Sequence, residues 1–91
     1  MNDVVKRYIE DNIQLIEEDT TDSWKTFFEN YPIHEVSMGK LTEVLLEAGI
    51  DPLKHLEFVP DYYLFDSSVK GTLVIPEHIR SIGKQAFDNC K

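Results

Sequence analysis

The chain has 91 residues, of which 42% are apolar, and a formal net charge of −8. A chain of this length makes one domain that buries about 60–65% of the surface its unfolded state exposes, and its apolar content is too high for a disordered chain. Seventeen acidic against nine basic residues argue against direct phosphate binding, because counterion release from a nucleic acid needs a basic surface.

The charge is unevenly distributed along the chain. Residues 1–51 hold twelve acids and four bases, whereas residues 52–91 hold five of each. One interpretation is a solvated acidic surface that aids solubility. The other is an acidic surface that meets a basic partner. For the second, the predicted contact residues are the acids between the first two helices, Glu17, Glu18, Asp19 and Asp22.

Residues 3–18 are predicted to form one amphipathic helix. Its apolar side chains recur at helical spacing, and Asn2 or Asp3 is expected to cap its start. The polar segment 18–22 then supplies Thr and Asp residues that favour the start of a second helix. The apolar stripe of the first helix comprises Val5, Ile9, Ile13 and Ile16, flanked by Tyr8.

The second predicted helix covers residues 21–30 and ends because Pro32 pushes Tyr31 toward extended geometry. Its aromatic residues recur at helical spacing, which indicates a core position before a binding one. These residues are Trp24, Phe27, Phe28 and Tyr31.

A third helix is predicted between Ser37, as its cap, and Gly49, which occupies the place of a left-handed C-terminal residue. Asp51 followed by Pro52 is typical of a cap and a first-turn proline, which predicts a short helical turn through Leu56. The stripe of the third helix comprises Leu41, Val44, Leu45 and Ala48.

From Leu56 onward the apolar pattern changes from helical to extended. The segment 58–61 is similar to the segment 74–77, at an offset of sixteen residues. We therefore predict a shortened first repeat over residues 56–70 and a complete one over residues 71–91. In the complete repeat, Leu73 and Ile75 alternate with Thr72 and Val74 as in a short strand, Pro76 ends that strand, and Gly83 permits a turn that a side chain would crowd.

The spacing of the last segment resembles one repeat of the BspA-type leucine-rich-repeat family, whose pattern is roughly I-P-x-x-[VI]-x-x-I-G-x-x-A-F-x-x-C. Residues 41–64 are also similar to the N-terminal region of phage-encoded leucine-rich-repeat proteins. The positions that match the repeat pattern are Ile75, Pro76, Ile79, Ile82, Gly83, Ala86, Phe87 and Cys90.

This resemblance implies an α+β fold in a single domain, residues 1–91, with a three-helix cap over residues 1–55 packed on one and a half repeat turns. It implies a scaffold that contacts proteins, with no catalytic motif to carry over, in the cytoplasm of a host cell. We expect a non-enzymatic protein-interaction module. The alternative is a small acidic inhibitor of a host nucleic-acid enzyme, of the anti-CRISPR or anti-restriction type.

The sequence offers no catalytic, cofactor or metal site. The histidines 34, 55 and 78 are too far apart to form a ligand pair at helical or strand spacing. Cys90 fills the packed cysteine position of the repeat pattern and is expected to be unreactive, and as the single cysteine it suits a reducing compartment. There is neither a run of about 18 apolar residues nor a leader pattern, so we expect no membrane span and no export.

Two expectations concern surfaces. Strand alternation places Tyr63 and Phe65 on one face and Tyr62 on the other, so Tyr62 or Tyr63 is expected to be exposed for protein contact. A repeat stack that stops after Cys90 leaves an open end, which favours pairing with a partner or a symmetric homodimer. Toward the helical cap, the pattern predicts joint burial of Ile75, Ile79, Ile82, Ala86 and Phe87.

Overall fold

The computed structural model describes residues 3–67 and 75–87 as an α+β arrangement of four helices and a small two-stranded sheet. The strand over 72–74, the cap at Asn2 and the packing of Cys90 lie outside the described residues. The helices are α1 (Asp3–Asp11), α2 (Ile13–Glu18), α3 (Thr21–Glu29) and α4 (Met38–Glu47), followed by a 3-10 turn (Pro52–Lys54), and the strands are β1 (Phe58–Val59) and β2 (Ser81–Ile82).

The prediction of one continuous helix over 3–18 is wrong at Asn12. This residue leaves helical geometry, with φ −120° and ψ 24°, and its side-chain amide donates to the carbonyl of Tyr8 at 2.9 Å. The backbone N–H of Asn12 approaches the same carbonyl at 3.1 Å. A short polar side chain that binds local backbone in this way competes with the helix. The break turns Ile13 outward, with 43% of its surface exposed.

The helix α3 is confirmed, and its start is fixed by a reciprocal cap. The Thr20 hydroxyl accepts from the N–H of Ser23 at 3.0 Å, and the Ser23 hydroxyl accepts from the N–H of Thr20 at 2.9 Å. Two otherwise unpaired backbone donors are thereby satisfied. The predicted core role of its aromatic stripe is also confirmed, since each of Trp24, Phe27, Phe28 and Tyr31 is at most 7% exposed.

The helix α4 ends as predicted, at a left-handed glycine. Gly49 has φ +81°, its N–H donates to the carbonyl of Leu46 at 3.0 Å, and the N–H of Ile50 reaches back to Leu45 at 2.9 Å. This pair of bonds satisfies the last carbonyls of the helix. The Asp51 carboxylate then accepts from the N–H of Leu53 at 3.1 Å and starts the 3-10 turn, which is shorter than predicted.

The strands β1 and β2 are parallel, and their register corrects the predicted repeat offset. Phe58 pairs with Ser81 and Val59 with Ile82, an offset of 23 residues, whereas the sequence comparison gave sixteen. The two segments also share their turn. Tyr62 and Gln85 both adopt left-handed geometry, with φ 60° and 51°.

Hydrogen bonds repeat at the same offset. The N–H of Tyr63 donates to Pro60 at 3.2 Å, and that of Ala86 donates to Gly83 at 3.3 Å. Gly83 has to be small in this arrangement, because an added Cβ would lie 2.5 Å from the backbone nitrogen of Asp61. The predicted crowding at this glycine is therefore confirmed.

The core joins the helices to the first of two strand-turn units, which we call the first turn (residues 58–67) and the second turn (residues 75–87). Val5, Trp24 and Leu41 meet Val59 and Tyr63 in one buried cluster. The second turn contributes less than predicted. Ala86 is buried, whereas Ile79 and Phe87 are half-buried, and Ile75 and Ile82 are 38% and 55% exposed. The predicted joint burial of these five side chains is wrong for Ile75 and Ile82, because among the described residues the first turn covers the second turn from one side only.

Within residues 3–67 and 75–87, none of the helices has the length and apolar character that a bilayer crossing demands.

Candidate protein-contact site

The second turn presents an apolar surface that we call the open end, defined by Ile75, Arg80, Ser81, Ile82 and Lys84. At one register position, the exposed fraction of the side chain differs greatly between the first turn and the second turn. Val59 is 0% exposed, and its pair Ile82 is 55% exposed. Large apolar side chains in this state are good candidates for protein contact.

The backbone at the open end also faces outward. The N–H of Gly83 donates to the carbonyl of Val59 at 2.7 Å, so Gly83 directs its donor toward β1. In a parallel register pair, one residue bonds to the neighbours of the other; because Val59 accepts from Gly83, the neighbour of its pair Ile82, the N–H and carbonyl of Ile82 face away from β1. A strand edge of this kind can accept a further strand.

The charge of the open end differs from that of the rest of the molecule. Residues 3–67 carry fifteen acids and five bases, whereas residues 75–87 carry one acid and two bases. Those two bases, Arg80 and Lys84, are exposed. Neither forms an ion pair with a carboxylate among the described residues. The open end is therefore a locally basic, apolar surface on an acidic protein.

Of the two tyrosines of which one was expected to be exposed, Tyr63 lies in the core. Its side chain is 0% exposed, its ring meets that of Phe28 at 5.9 Å between centroids, and burial, followed by the nearby Asp51 carboxylate, raises the pKa of its hydroxyl. Within the described part of the chain this hydroxyl has no hydrogen-bond partner. Tyr63 is therefore inaccessible to a partner in this conformation.

Tyr62 is half-buried and lies on the wall of an apolar groove. Its ring makes an edge contact with Phe65 at 5.8 Å. On one side the two rings, with Ile33 and Met38, line a recess of about 270 Å³, and on the other side Tyr62 and Phe58 line a recess of about 470 Å³. Tyr62 is accessible here, so its predicted contact role stays a prediction.

The predicted acidic residues lie around the turn between α2 and α3, and Glu17, Glu18, Asp19 and Asp22 are all exposed. Asp19 differs from the others because its carboxylate has internal partners. One oxygen accepts from the indole N–H of Trp24 at 2.7 Å, and the other lies 3.1 Å from Nε2 of His55. Asp19 therefore fastens this turn to the 3-10 turn, and the other three acids are the ones available to a partner.

The site contains no recognisable catalytic arrangement within the described residues. They include no group of three His, Cys, Asp or Glu side chains that could hold a metal ion. His55 lies beside Asp19, and the ring nitrogen Nε2 of His78 lies 2.7 Å from the carbonyl of Leu53. These contacts join chain segments to each other.

Sequence reasoning predicted an open end for pairing but did not identify Arg80, Ile82 and Lys84 as its residues, although a signal for them was present. At the offset of 23 residues, Glu57, Val59 and Asp61 correspond to Arg80, Ile82 and Lys84, and Val59 and Ile82 are a register pair. An acid–apolar–acid pattern thus corresponds to a base–apolar–base pattern. The comparison at sixteen residues concealed this complementarity.

Comparison of the chain with protein-family models, with curated proteins and with solved structures found no match.

Proposed function

We propose that this chain is a non-enzymatic protein-interaction module whose open end is the contact surface. The observation that carries the proposal is Ile82, which is 55% exposed at the register position where Val59 is completely buried. Removing an isoleucine of this kind from water stabilises a complex by about 1–2 kcal/mol, because roughly half of its surface remains to be buried.

The resemblance of residues 71–91 to a BspA-type leucine-rich repeat supports the same proposal, since such repeats act as protein-contact scaffolds. Two consecutive turns that share left-handed residues at positions 62 and 85 agree with a repeated unit. In this interpretation the helices cover one end of a short leucine-rich-repeat stack and the open end is the other. We extend the resemblance to a phage-type protein that acts in the host cytoplasm.

The test uses the chain as bait in host lysate, with mass spectrometry of the retained proteins. A second bait carries Ile82→Ser, which removes the apolar contact at a position already exposed. A matched control carries Ile13→Ser, a similarly exposed isoleucine at the break between α1 and α2. We expect specific partners that are retained by the wild type and the control and lost by Ile82→Ser. Equal retention by all three baits would refute the open end as the contact surface.

A second candidate function is a small acidic inhibitor of a basic host nucleic-acid enzyme, of the anti-CRISPR or anti-restriction type. The observation that favours it is the simultaneous exposure of Glu17, Glu18 and Asp22 around one turn. Acidic side chains presented together are complementary to a nucleic-acid-binding surface.

Salt dependence separates the two functions. Binding through three exposed carboxylates weakens steeply as salt rises, whereas binding at the open end weakens less, because the apolar contact of Ile82 is not screened and only Arg80 and Lys84 carry charge there. The variant Glu17→Gln/Glu18→Gln/Asp22→Asn should abolish partner binding if the acidic turn is the site, and should leave it unchanged if the open end is the site. Asp19 is kept in this variant because it binds Trp24.

A further inference from the structure

We infer that the open end binds an extended segment of a partner protein in which an aliphatic residue is flanked, two positions away on each side, by acidic residues. This inference rests on the proposed function and specifies the partner chemistry. The segment adds to the edge of β2 that none of the described residues pairs with, as a third strand parallel to β2 that uses the outward backbone groups of Ile82.

The molecule itself contains a template for this pairing. On its inner edge, β2 meets a segment with Glu57, Val59 and Asp61 at alternate positions. The carbonyl of Glu57 accepts from the N–H of Arg80 at 2.7 Å, and the carboxylate of Asp61 accepts from the N–H of Lys84, also at 2.7 Å. The segment that β2 meets within the chain thus has an acid–aliphatic–acid pattern, and it binds through the backbone carbonyl of Glu57 and the carboxylate of Asp61.

The cations that flank β2, Arg80 and Lys84, remain available to a second segment of this kind. The inner segment contacts Arg80 and Lys84 through their backbone N–H groups. Their guanidinium and ammonium groups are exposed and form no ion pair with the described acids. Carboxylates placed opposite them across a strand pair therefore add attraction, as oppositely charged cross-strand pairs do.

The same charges disfavour a second copy of the chain as the occupant. A symmetric dimer that pairs β2 with β2 antiparallel about Ile82 sets Arg80 of each copy opposite Lys84 of the other. Like charges directly opposite each other destabilise a strand pair, and the net charge of −8 on each chain adds repulsion. The homodimer expected from the sequence is therefore the less favourable use of this edge.

The experiment titrates the folded, isotope-labelled chain with a synthetic peptide that has the sequence of residues 55–64, and follows backbone amide shifts by NMR. We expect the amides of Ile82 and Gln85 to shift and that of Val59 to stay constant, since the peptide adds to the free edge without displacing β1. A peptide with lysine in place of Glu57 and Asp61 should bind at least tenfold more weakly.

A protein variant provides the reciprocal test. Arg80→Gln/Lys84→Gln should weaken binding of the acidic peptide about tenfold and abolish the preference over the lysine peptide. The control Lys6→Gln/Arg7→Gln makes the same charge change on α1 and should bind like the wild type. Circular dichroism of both variants verifies that they are folded.

Three results would overturn the inference: no shift at Ile82, equal binding of the two peptides, or a dimer through Ile82 that excludes the peptide. If any of these occurs while Ile82→Ser still loses the partners retained from lysate, the open end is a contact surface but its partner has other chemistry. If Ile82→Ser loses no partner either, the proposed function fails as well.

Discussion

The helical region encloses its large aromatic side chains, whereas in the strand-turn region the described residues, 3–67 and 75–87, cover the second turn on one side only. Trp24 and Phe27 are both 0% exposed, and Phe27 also meets Trp24 edge-on at 5.3 Å. In the strand-turn region, Val59 is buried under the helices and Ile82 is not. Whether an apolar residue becomes core or surface is thus decided by what lies beyond it, because its own strand position is the same in both turns.

The largest expected effect is a loss of stability at alkaline pH, and it arises in the helical region. Burial raises the pKa of Tyr8 to about 12. The pKa of Tyr31 is also raised to about 12, and burial is the main cause. An unfolded tyrosine ionises near pH 10. The unfolded state therefore loses its protons first. The stability from these groups is complete below pH 10 and is lost as pH rises from 10 through 12.

We expect helical circular dichroism to decrease over this pH range together with the rise of tyrosinate absorbance. The Tyr8 hydroxyl donates to the carbonyl of Phe27 at 2.5 Å, so its ionisation also removes a link between α1 and α3. Full ionisation of all four tyrosines near pH 10 with unchanged helix content would contradict the enclosed packing of the helical region.

The next prediction compares the stability lost when a large aromatic side chain is removed from each of the two regions. Trp24→Ala should lower the free energy of unfolding by about 3–5 kcal/mol, because it removes a completely buried ring. Phe87→Ala should cost about 2 kcal/mol, because that ring is only half-buried. Chemical denaturation measures both. Equal costs would mean that the second turn is as well covered as the helical core.

Glycine substitutions test the two places where backbone segments approach closely. A Cβ at position 39 would lie 2.0 Å from the carbonyl oxygen of Phe65, and one at position 83 would lie 2.5 Å from the Asp61 nitrogen. Gly39→Ala and Gly83→Ala should each cost about 3 kcal/mol. Gly49→Ala is the control, with φ +81° and open space around it, and should cost about 1 kcal/mol. A neutral Gly39→Ala would disprove the close contact of α4 with the turn.

The smallest expected difference in stability is between substitutions at the two residues of one register pair, Val59 and Ile82. Val59→Ala should cost about 2 kcal/mol, since it removes two buried methyl groups and leaves a cavity. Ile82→Ala removes more atoms but should cost less than about 1 kcal/mol, because over half of its surface already faces water. Denaturation midpoints decide the order, and a larger loss for Ile82→Ala would place that side chain in the core.

The parts of the fold that the sequence predicted correctly are those fixed by local chemistry. The start of α3 depends on Thr20 and Ser23, three residues apart, and the end of α4 depends on Gly49 and its neighbours. Such signals lie within a few residues and can be recognised in the sequence. Asn12 is an exception, because an asparagine inside a helical stripe breaks the helix only when its amide turns to the backbone.

The parts predicted incorrectly depend on contacts between distant segments. The valine–proline similarity indicated an offset of sixteen residues, but the register is set where Gly83 meets Asp61 and Val59, and no local pattern shows that contact. Tyr63 was assigned by strand alternation, which requires extended backbone. Because Tyr62 is left-handed, residues 61–66 form turns and alternation does not apply.

The position of the single tryptophan determines what fluorescence can report about this molecule. Trp24 is enclosed in the helical region, with its indole N–H on the Asp19 carboxylate, so its emission follows the melting of that region and is blind to the second turn. A transition recorded at Trp24 alone would look two-state even if the second turn opened first. Coincidence with a probe near Ile82 is therefore the criterion for cooperative unfolding of the whole domain.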